Sequence, residues 1–267
     1  MRKCFALIGI VAGLVAYWIS GPTLAHVWIV FAAGLLSYYV CSVLVVLWTV
    51  LLSCTINGEH GDKRYSPLYH YTMVACGQAI CMLCKVHWKI EGMDLLPKEP
   101  FLLVGNHRSR FDPILAFSVL SHRKLAFISK PENFRIPVVG KMMARNGYIP
   151  IDRNHNRNAV GAIEKAVRMA REEDYCIGIY PEGKRNRQAG TLLPFKAGSF
   201  KIATLAQLPV VLMSFDGTER IRKNFLYRPT MVRIRFLKVV HPADFADTVE
   251  LAQWSQSVVA ESLKVEV

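Results

Sequence analysis

Phe101-Leu-Leu-Val-Gly105-Asn106-His107-Arg108-Ser109-Arg110-Phe111-Asp112-Pro113 is the stretch from which the fold is read. Its first five residues form a short apolar run closed by glycine, the pattern of a buried strand. Proline favours the first position of a helix and aspartate its N-cap, so a helix is expected to open at Pro113 with Asp112 as its cap. His107 then sits in a polar turn where a strand ends, and Asp112 is held close enough to touch its ring. A neutral histidine oriented by a carboxylate can take a proton from an alcohol, and that alcohol can belong to the substrate. The plainer alternative is that Asp112 only caps the helix and His107 is an ordinary surface residue.

Strand-like and helix-like runs alternate on the C-terminal side of this stretch. Strands are expected over 101–105, 124–129, 148–151, 175–180, 209–214 and 231–240, and helices over 157–171 and 197–207. In 157–171, Val160, Ile163, Ala166, Val167 and Ala170 recur at helical spacing. Such alternation indicates one α/β domain with a single core of under about 200 residues. The segment 242–267 reads as a weakly amphipathic helix used for packing.

On the N-terminal side, no Lys, Arg, Asp or Glu occurs between Lys3 and Glu59. That is far longer than the apolar part of a signal peptide, about 7–15 residues. Ser20-Gly21-Pro22 interrupts it with a turn signal. Two spans, roughly 4–20 and 27–52, are expected to form a transmembrane hairpin, although the first is short against the ~20 residues a span needs. One long span preceded by an interfacial helix remains the alternative. Arg2 and Lys3 precede the first span, and Lys63 and Arg64 follow the second. The positive-inside rule then places both ends, and the catalytic residues, on the cytoplasmic side. The expected division is an anchor over 1–58, a membrane-proximal linker or helical segment over 59–85, and the α/β domain over 86–267.

The formal charge is +13, and 31 basic residues face 20 acidic ones once Arg2 and Lys3 are set aside. A basic domain beside a membrane is drawn to anionic lipid and to phosphorylated substrates. Nucleic acid is a poor reading, because the chain is anchored and carries no nucleic-acid motif. Of the seven cysteines, Cys81-Met-Leu-Cys84, with Cys76 and His87 nearby, hints at zinc. No second Cys-x-x-Cys pair exists and the neighbours are apolar, so reduced thiols fit better than a metal site.

Two further polar clusters follow apolar runs. Gly147-Tyr-Ile-Pro-Ile-Asp152-Arg153 offers an arginine fork to a phosphate, or simply a salt bridge at a strand end. In Tyr180-Pro-Glu182-Gly183-Lys184-Arg185-Asn186-Arg187, Gly183 permits unusual backbone or close ligand approach. Its three cations can neutralise a phosphate, and Glu182 can fix the Arg185 fork or bind a substrate hydroxyl. The alternative is a solvated basic loop. Pro194-Phe-Lys196-Ala-Gly198-Ser199-Phe reads as a helix opening whose free N–H groups suit an anion.

Together these blocks resemble the 1-acyl-sn-glycerol-3-phosphate acyltransferase family. Asn106-His107-x4-Asp112 resembles its first motif, Gly147 to Arg153 its second, Tyr180-Pro-Glu-Gly-Lys-Arg185 its third (Phe-Pro-Glu-Gly-Thr-Arg), and Leu208-Pro-Val-Val211 its fourth. Lys130-Pro-Glu-Asn-Phe-Arg-Ile-Pro-Val-Val-Gly140 and Phe195-Lys-Ala-Gly198 match its connecting segments, and the resemblance covers about residues 86–240. Two departures are Lys184 for threonine and Asn186 for serine. The resemblance implies a central mixed sheet flanked by helices. It implies acyl transfer from acyl-CoA or acyl-carrier protein to the sn-2 hydroxyl of lysophosphatidic acid, with His107 as base and Asp112 as its partner. Asn106, Arg153, Glu182, Gly183, Lys184 and Arg185 would bind substrate, and no metal or bound cofactor is implied. The alternatives are a related acyltransferase with another acceptor, and an inactive anionic-lipid-binding membrane protein.

Overall fold

A computed structural model describes residues 2–20, 24–56, 65–152, 156–188, 190–225 and 227–265. Helices α1 (Arg2–Ser20), α2 (Leu24–Cys54) and α3 (Pro67–Leu83) come first. They are followed by β1 (Val86–Glu91), β2 (Leu102–Gly105), α4 (Phe111–Val119), β3 (Leu125–Ser129), α5 (Val139–Arg145), β4 (Ile149–Pro150), α6 (Asn156–Glu172) and β5 (Cys176–Ile179). The chain ends with α7 (Lys201–Ala206), β6 (Val210–Asp216), α8 (Ile221–Asn224), β7 (Thr230–Val240) and α9 (Thr248–Leu263).

The strands form one 7-stranded mixed sheet in the order β1-β7-β6-β2-β5-β3-β4. All neighbours are parallel except β6 and β7. The central strands β2, β3, β5 and β6 are apolar nearly throughout because both faces of the sheet are covered. Alternate side chains serve opposite layers. Leu102, Val104, Ile177 and Val210 pack with α6, α7 and α9, whereas Phe101, Leu103, Leu125 and Val211 pack with α3 and α4.

Strand β1 opens the expected domain at Val86 but is not among the strands expected from the sequence. Its charged Lys89 and Glu91 obscure the apolar pattern, and among the described residues it pairs with the distant β7 alone. Helix α3 is likewise built into the core, with Val74, Cys81 and Cys84 buried in the α4 layer. Among the described residues no three His, Cys, Asp or Glu side chains converge as a metal site would require.

Three local expectations need correction. Val160 is 53% exposed, and the buried stripe of α6 is Ala162, Ala166, Met169 and Ala170. The segment 197–207 is a 3₁₀ turn, Ala197–Ser199, followed by the short α7. The Ser199 and Phe200 N–H groups bond Lys196 and Ala197 carbonyls, so this opening does not present them to an anion. Helix α9 is a packing element, burying Leu251, Ala252, Val259 and Ala260.

At the N-terminal side, the described residues contain one helix long and apolar enough to cross a membrane, Val30–Cys54, with only 6% of its most apolar window buried. The apolar part of α1, Leu7–Ile19, is shorter. The two helices meet backbone to backbone, since a Cβ on Gly9 would lie 2.8 Å from the Gly34 carbonyl oxygen. Trp18, Trp28, Phe31 and Leu51 face outward, as suits apolar surroundings.

Gly178 in β5 shows how tightly the α4 layer is filled, because a Cβ there would run into the Phe127 ring. We therefore expect Gly178→Ala to cost about 1–3 kcal/mol of stability through overpacking. Chemical denaturation reads this directly, and an unchanged midpoint would show that Phe127 has room to move.

Candidate active site

Strands β2 and β5 are parallel neighbours, with Val104 opposite Ile179, so the loops after them leave the same edge of the sheet. Crossovers from β2 to β3 and from β5 to β6 run in opposite directions along the strand order. This is the switch point at which open α/β sheets place their ligands. The first loop carries His107 and the second carries Glu182.

Asn106 fixes where β2 ends. Its side chain is wholly buried, its Nδ2 donates to the Phe215 carbonyl (3.0 Å), and its Oδ1 accepts from the Phe215 N–H (2.8 Å). The side-chain amide thus imitates a further rung of the β2–β6 ladder. Asn106, expected as a substrate contact, braces the end of β2 through one bond from Nδ2 and one to Oδ1.

His107 Nδ1 lies 2.8 Å from Asp112 Oδ2. The same oxygen accepts from the Arg108 N–H (2.7 Å) and the Ser109 N–H (2.7 Å). Asp112 is fully buried and lies inside α4, which begins at Phe111 rather than Pro113. It is therefore not the cap of that helix. Its carboxylate turns back and gathers the preceding turn around one oxygen. An acceptor at Nδ1 puts the proton there and leaves Nε2 basic. The His107 side chain remains 19% exposed, so this second nitrogen can meet a substrate.

The second loop grips the His107 peptide from both sides. The His107 N–H donates to Glu182 Oε1 (2.5 Å), and the His107 carbonyl accepts from the Asn186 N–H (2.7 Å). Glu182 Oε2 also accepts from the Leu193 N–H (3.3 Å). Asn186 holds its own loop through the Thr191 carbonyl (2.8 Å) and the Gln188 N–H (3.0 Å), and Arg108 Nη2 reaches the Gln188 carbonyl (2.8 Å). Glu182 is only 3% exposed. Burial pushes its carboxyl up to about 7 and the Asp112 charge adds to that, while the two N–H donors and Arg108 oppose it. Glu182, expected to touch substrate or Arg185, braces the turn through His107 and Leu193.

An aromatic column supports the imidazole. The His107 ring stacks on Tyr180 at 4.3 Å between centroids and 13°, and Tyr180 stacks on Phe127 at 5.4 Å and 10°. Gly178 leaves the room that Phe127 occupies. Burial, then the Asp112 charge, raises the Tyr180 phenol well above its ordinary value, which keeps it neutral. Sequence reasoning gave Tyr180 and Phe127 no role at the site, and took Asn186 only as a departure from the family's third motif that could alter acceptor preference. The one available signal was an aromatic residue immediately ahead of Pro181-Glu182.

The remaining expected site residues lie on two sides of this turn. Gly183 takes a left-handed backbone (φ 77°), and its N–H donates to the Tyr180 carbonyl (3.1 Å). Gly183 and the exposed Lys184 line a cleft of about 530 Å³ that adjoins Glu182, with Lys130, Lys196, Glu132 and Asp152. His107 and Asp112 are not in its lining, and Glu182 is the link between cleft and base. Arg185 is half-buried outside the cleft, its guanidinium lowered by burial and then by Arg110 and Arg187. Arg153 lies outside the described residues.

Comparison with known proteins gives a consistent picture. The family model described as Acyltransferase matches residues 87–216. A 1-acyl-sn-glycerol-3-phosphate acyltransferase of Limnanthes douglasii is 26% identical over 215 residues, spanning 78% of this chain and 74% of the relative. That of Saccharomyces cerevisiae is 25% identical over 78% of this chain and 70% of its own. The mouse alpha enzyme is 32% identical over 54% of this chain and 51% of its own. The crystal structure of the 1-acyl-sn-glycerophosphate acyltransferase PlsC from Thermotoga maritima shares the fold, with a TM-score of 0.59 and 23% identity over 99% of this chain and 97% of that one.

The Glu182 carboxyl gives the fold a pH signature. Its folded value, about 7, lies above the ordinary 4.5, so the folded protein holds this proton more tightly than the unfolded chain does. Stability should then fall as pH rises between those two values and level off above them. Glu182→Gln should lower the melting temperature, because one N–H would face an amide NH₂, and should flatten its slope between about pH 5 and 7. Melting curves across that range test the assignment, and an unaltered slope in the variant would refute it.

Proposed function

We propose, from the premise that the chain belongs to the 1-acyl-sn-glycerol-3-phosphate acyltransferase family, that His107 is its general base. The reaction is transfer of an acyl group to the sn-2 hydroxyl of 1-acyl-sn-glycerol 3-phosphate, giving phosphatidic acid. The observation that carries this reading is the His107–Asp112 pair at the C-terminal edge of the sheet, with Nδ1 occupied and the ring partly exposed.

The donor is an acyl thioester, on CoA or on acyl-carrier protein. His107 Nε2 takes the proton as the acceptor oxygen attacks the thioester carbonyl carbon. The tetrahedral intermediate collapses by breaking the carbon–sulfur bond, and the imidazolium returns the proton to the departing sulfur. Asp112 orients the ring and stabilises its positive charge. The thioester is already activated and the imidazole handles the proton, so the chemistry calls for no resident metal or cofactor. The His107 and Gly183 N–H groups, natural candidates for stabilising the oxyanion, are taken by Glu182 and by the Tyr180 carbonyl.

Gly183, Lys184 and Arg185 flank the base and supply the acceptor's glycerol-phosphate contacts. Arg153 joins them on the strength of the sequence motif alone. Both acceptor and product are anionic lipids, which gives the apolar N-terminal helices a purpose: they anchor the basic domain at a membrane and hold the site near its substrate. The Arg2, Lys3, Lys63 and Arg64 pattern assigns that domain to the cytoplasmic side.

Thiol release from acyl-CoA and from acyl-carrier protein, with and without 1-acyl-sn-glycerol 3-phosphate, tests the reading. Wild-type membranes should show acceptor-dependent release. His107→Ala should abolish it while the protein stays in the membrane fraction, and Asp112→Asn should lower it by about 10³–10⁴. Wild-type turnover by His107→Ala would remove the base assignment.

A further inference from the structure

Arg110 takes part in none of the steps above. It immediately precedes α4 and its side chain is exposed. The 2.7 Å bond from the Asn186 N–H to the His107 carbonyl lays residues 185–187 beside the turn that carries Arg110, and Arg110 and Arg187 are near enough to Arg185 to disturb its guanidinium. None of the three forms an ion pair with an acid among the described residues. The carboxylates nearest along the chain, Asp112 to Arg110 and Glu182 to Arg185 and Arg187, are both buried and hydrogen-bonded to backbone N–H groups, and Asp112 only partly offsets the repulsion at Arg185. Arg108, by contrast, is engaged with the Gln188 carbonyl.

Like charges gathered on one rim repel, and each makes the others harder to keep charged. Burial is the first cause of the depressed Arg185 guanidinium, and the Arg110 and Arg187 charges add to it. An anion placed between them relieves it, and its charge decides how well. A phosphomonoester carries nearly two charges near neutral pH and three terminal oxygens, enough for two guanidinium forks. A phosphodiester carries one charge and two free oxygens, which a single fork satisfies.

We propose that Arg110 is a specificity-determining residue: with Arg185 it forms a two-guanidinium seat for the acceptor's phosphomonoester, and so selects against lyso-lipids whose phosphate is a diester. This rests on the acceptor reading given above. Because Arg110 is exposed and packs into no core cluster, replacing it should leave the fold and the base intact.

The test uses the full chain in lipid vesicles and two constants: KM for 1-acyl-sn-glycerol 3-phosphate, and Ki for 1-acyl lysophosphatidylglycerol as a competitor. The second is measurable whether or not the diester is itself acylated. Arg110→Gln should raise KM by about tenfold, the loss of one charge-assisted pair. It should leave kcat and the diester Ki within about twofold, and Arg110→Lys, a charge without a fork, should fall between. An unchanged KM, or an equal rise in both constants, would overturn the proposal while the acceptor assignment stands. A wild-type chain that acylates other lyso-lipids but not 1-acyl-sn-glycerol 3-phosphate would overturn that assignment and this proposal with it.

Discussion

A buried carboxylate, Glu182, joins the two loops that make the site. It sits after β5 but its Oε1 holds the peptide N–H of His107, the second residue after β2. Adjacent parallel strands bring the loops to one edge, yet adjacency alone would leave each loop free to wander. The Glu182 bond, the Asn186 bond and the Arg108 bond turn two loops into one rigid piece. Placement of the His107 ring therefore depends on a carboxylate 75 residues away in the chain.

The brace has an electrostatic cost. Two carboxylates, Asp112 and Glu182, are buried close enough for one to disturb the other. Burial of an acid is tolerated when donors meet it. Asp112 gathers its donors on a single oxygen while Glu182 divides its own between two. Arg108 adds a positive charge near Glu182. The arginines of the rim lie outside this inner layer, where a mobile anion rather than a fixed carboxylate can meet them.

The sequence made the α/β architecture and the His107–Asp112 contact legible because both are local. A strand, a turn and a helix lie within thirteen residues, and the His107–Asp112 spacing is short. The bracing bonds of Asn106 and Glu182 were not legible, for the opposite reason. Asn106 answers to Phe215 and Glu182 to His107, partners 109 and 75 residues away. A polar side chain in a functional motif looks like a ligand contact until its distant backbone partner is known. Strand β1 escaped notice in the same way, since β7 pairs with it from across the whole domain. Asp112 is subtler: aspartate ahead of proline does mark a helix start, but its own turn supplies three donors that draw the carboxylate backward instead.

An imidazole offers few ways in, and counting those already taken shows which side of the His107 ring stays open. Nδ1 belongs to Asp112, one ring face rests on Tyr180, and the peptide N–H and C=O belong to the second loop. What is left is Nε2 and the opposite face. A hydrogen bond beneath the ring would have competed for a nitrogen, whereas an aromatic stack fixes the ring plane and leaves both nitrogens to chemistry. Tyr180 in turn needs Phe127, and Phe127 needs the missing side chain of Gly178. The direction from which the His107 ring can be approached is thus set by a glycine in the middle of a buried strand, through two aromatic rings.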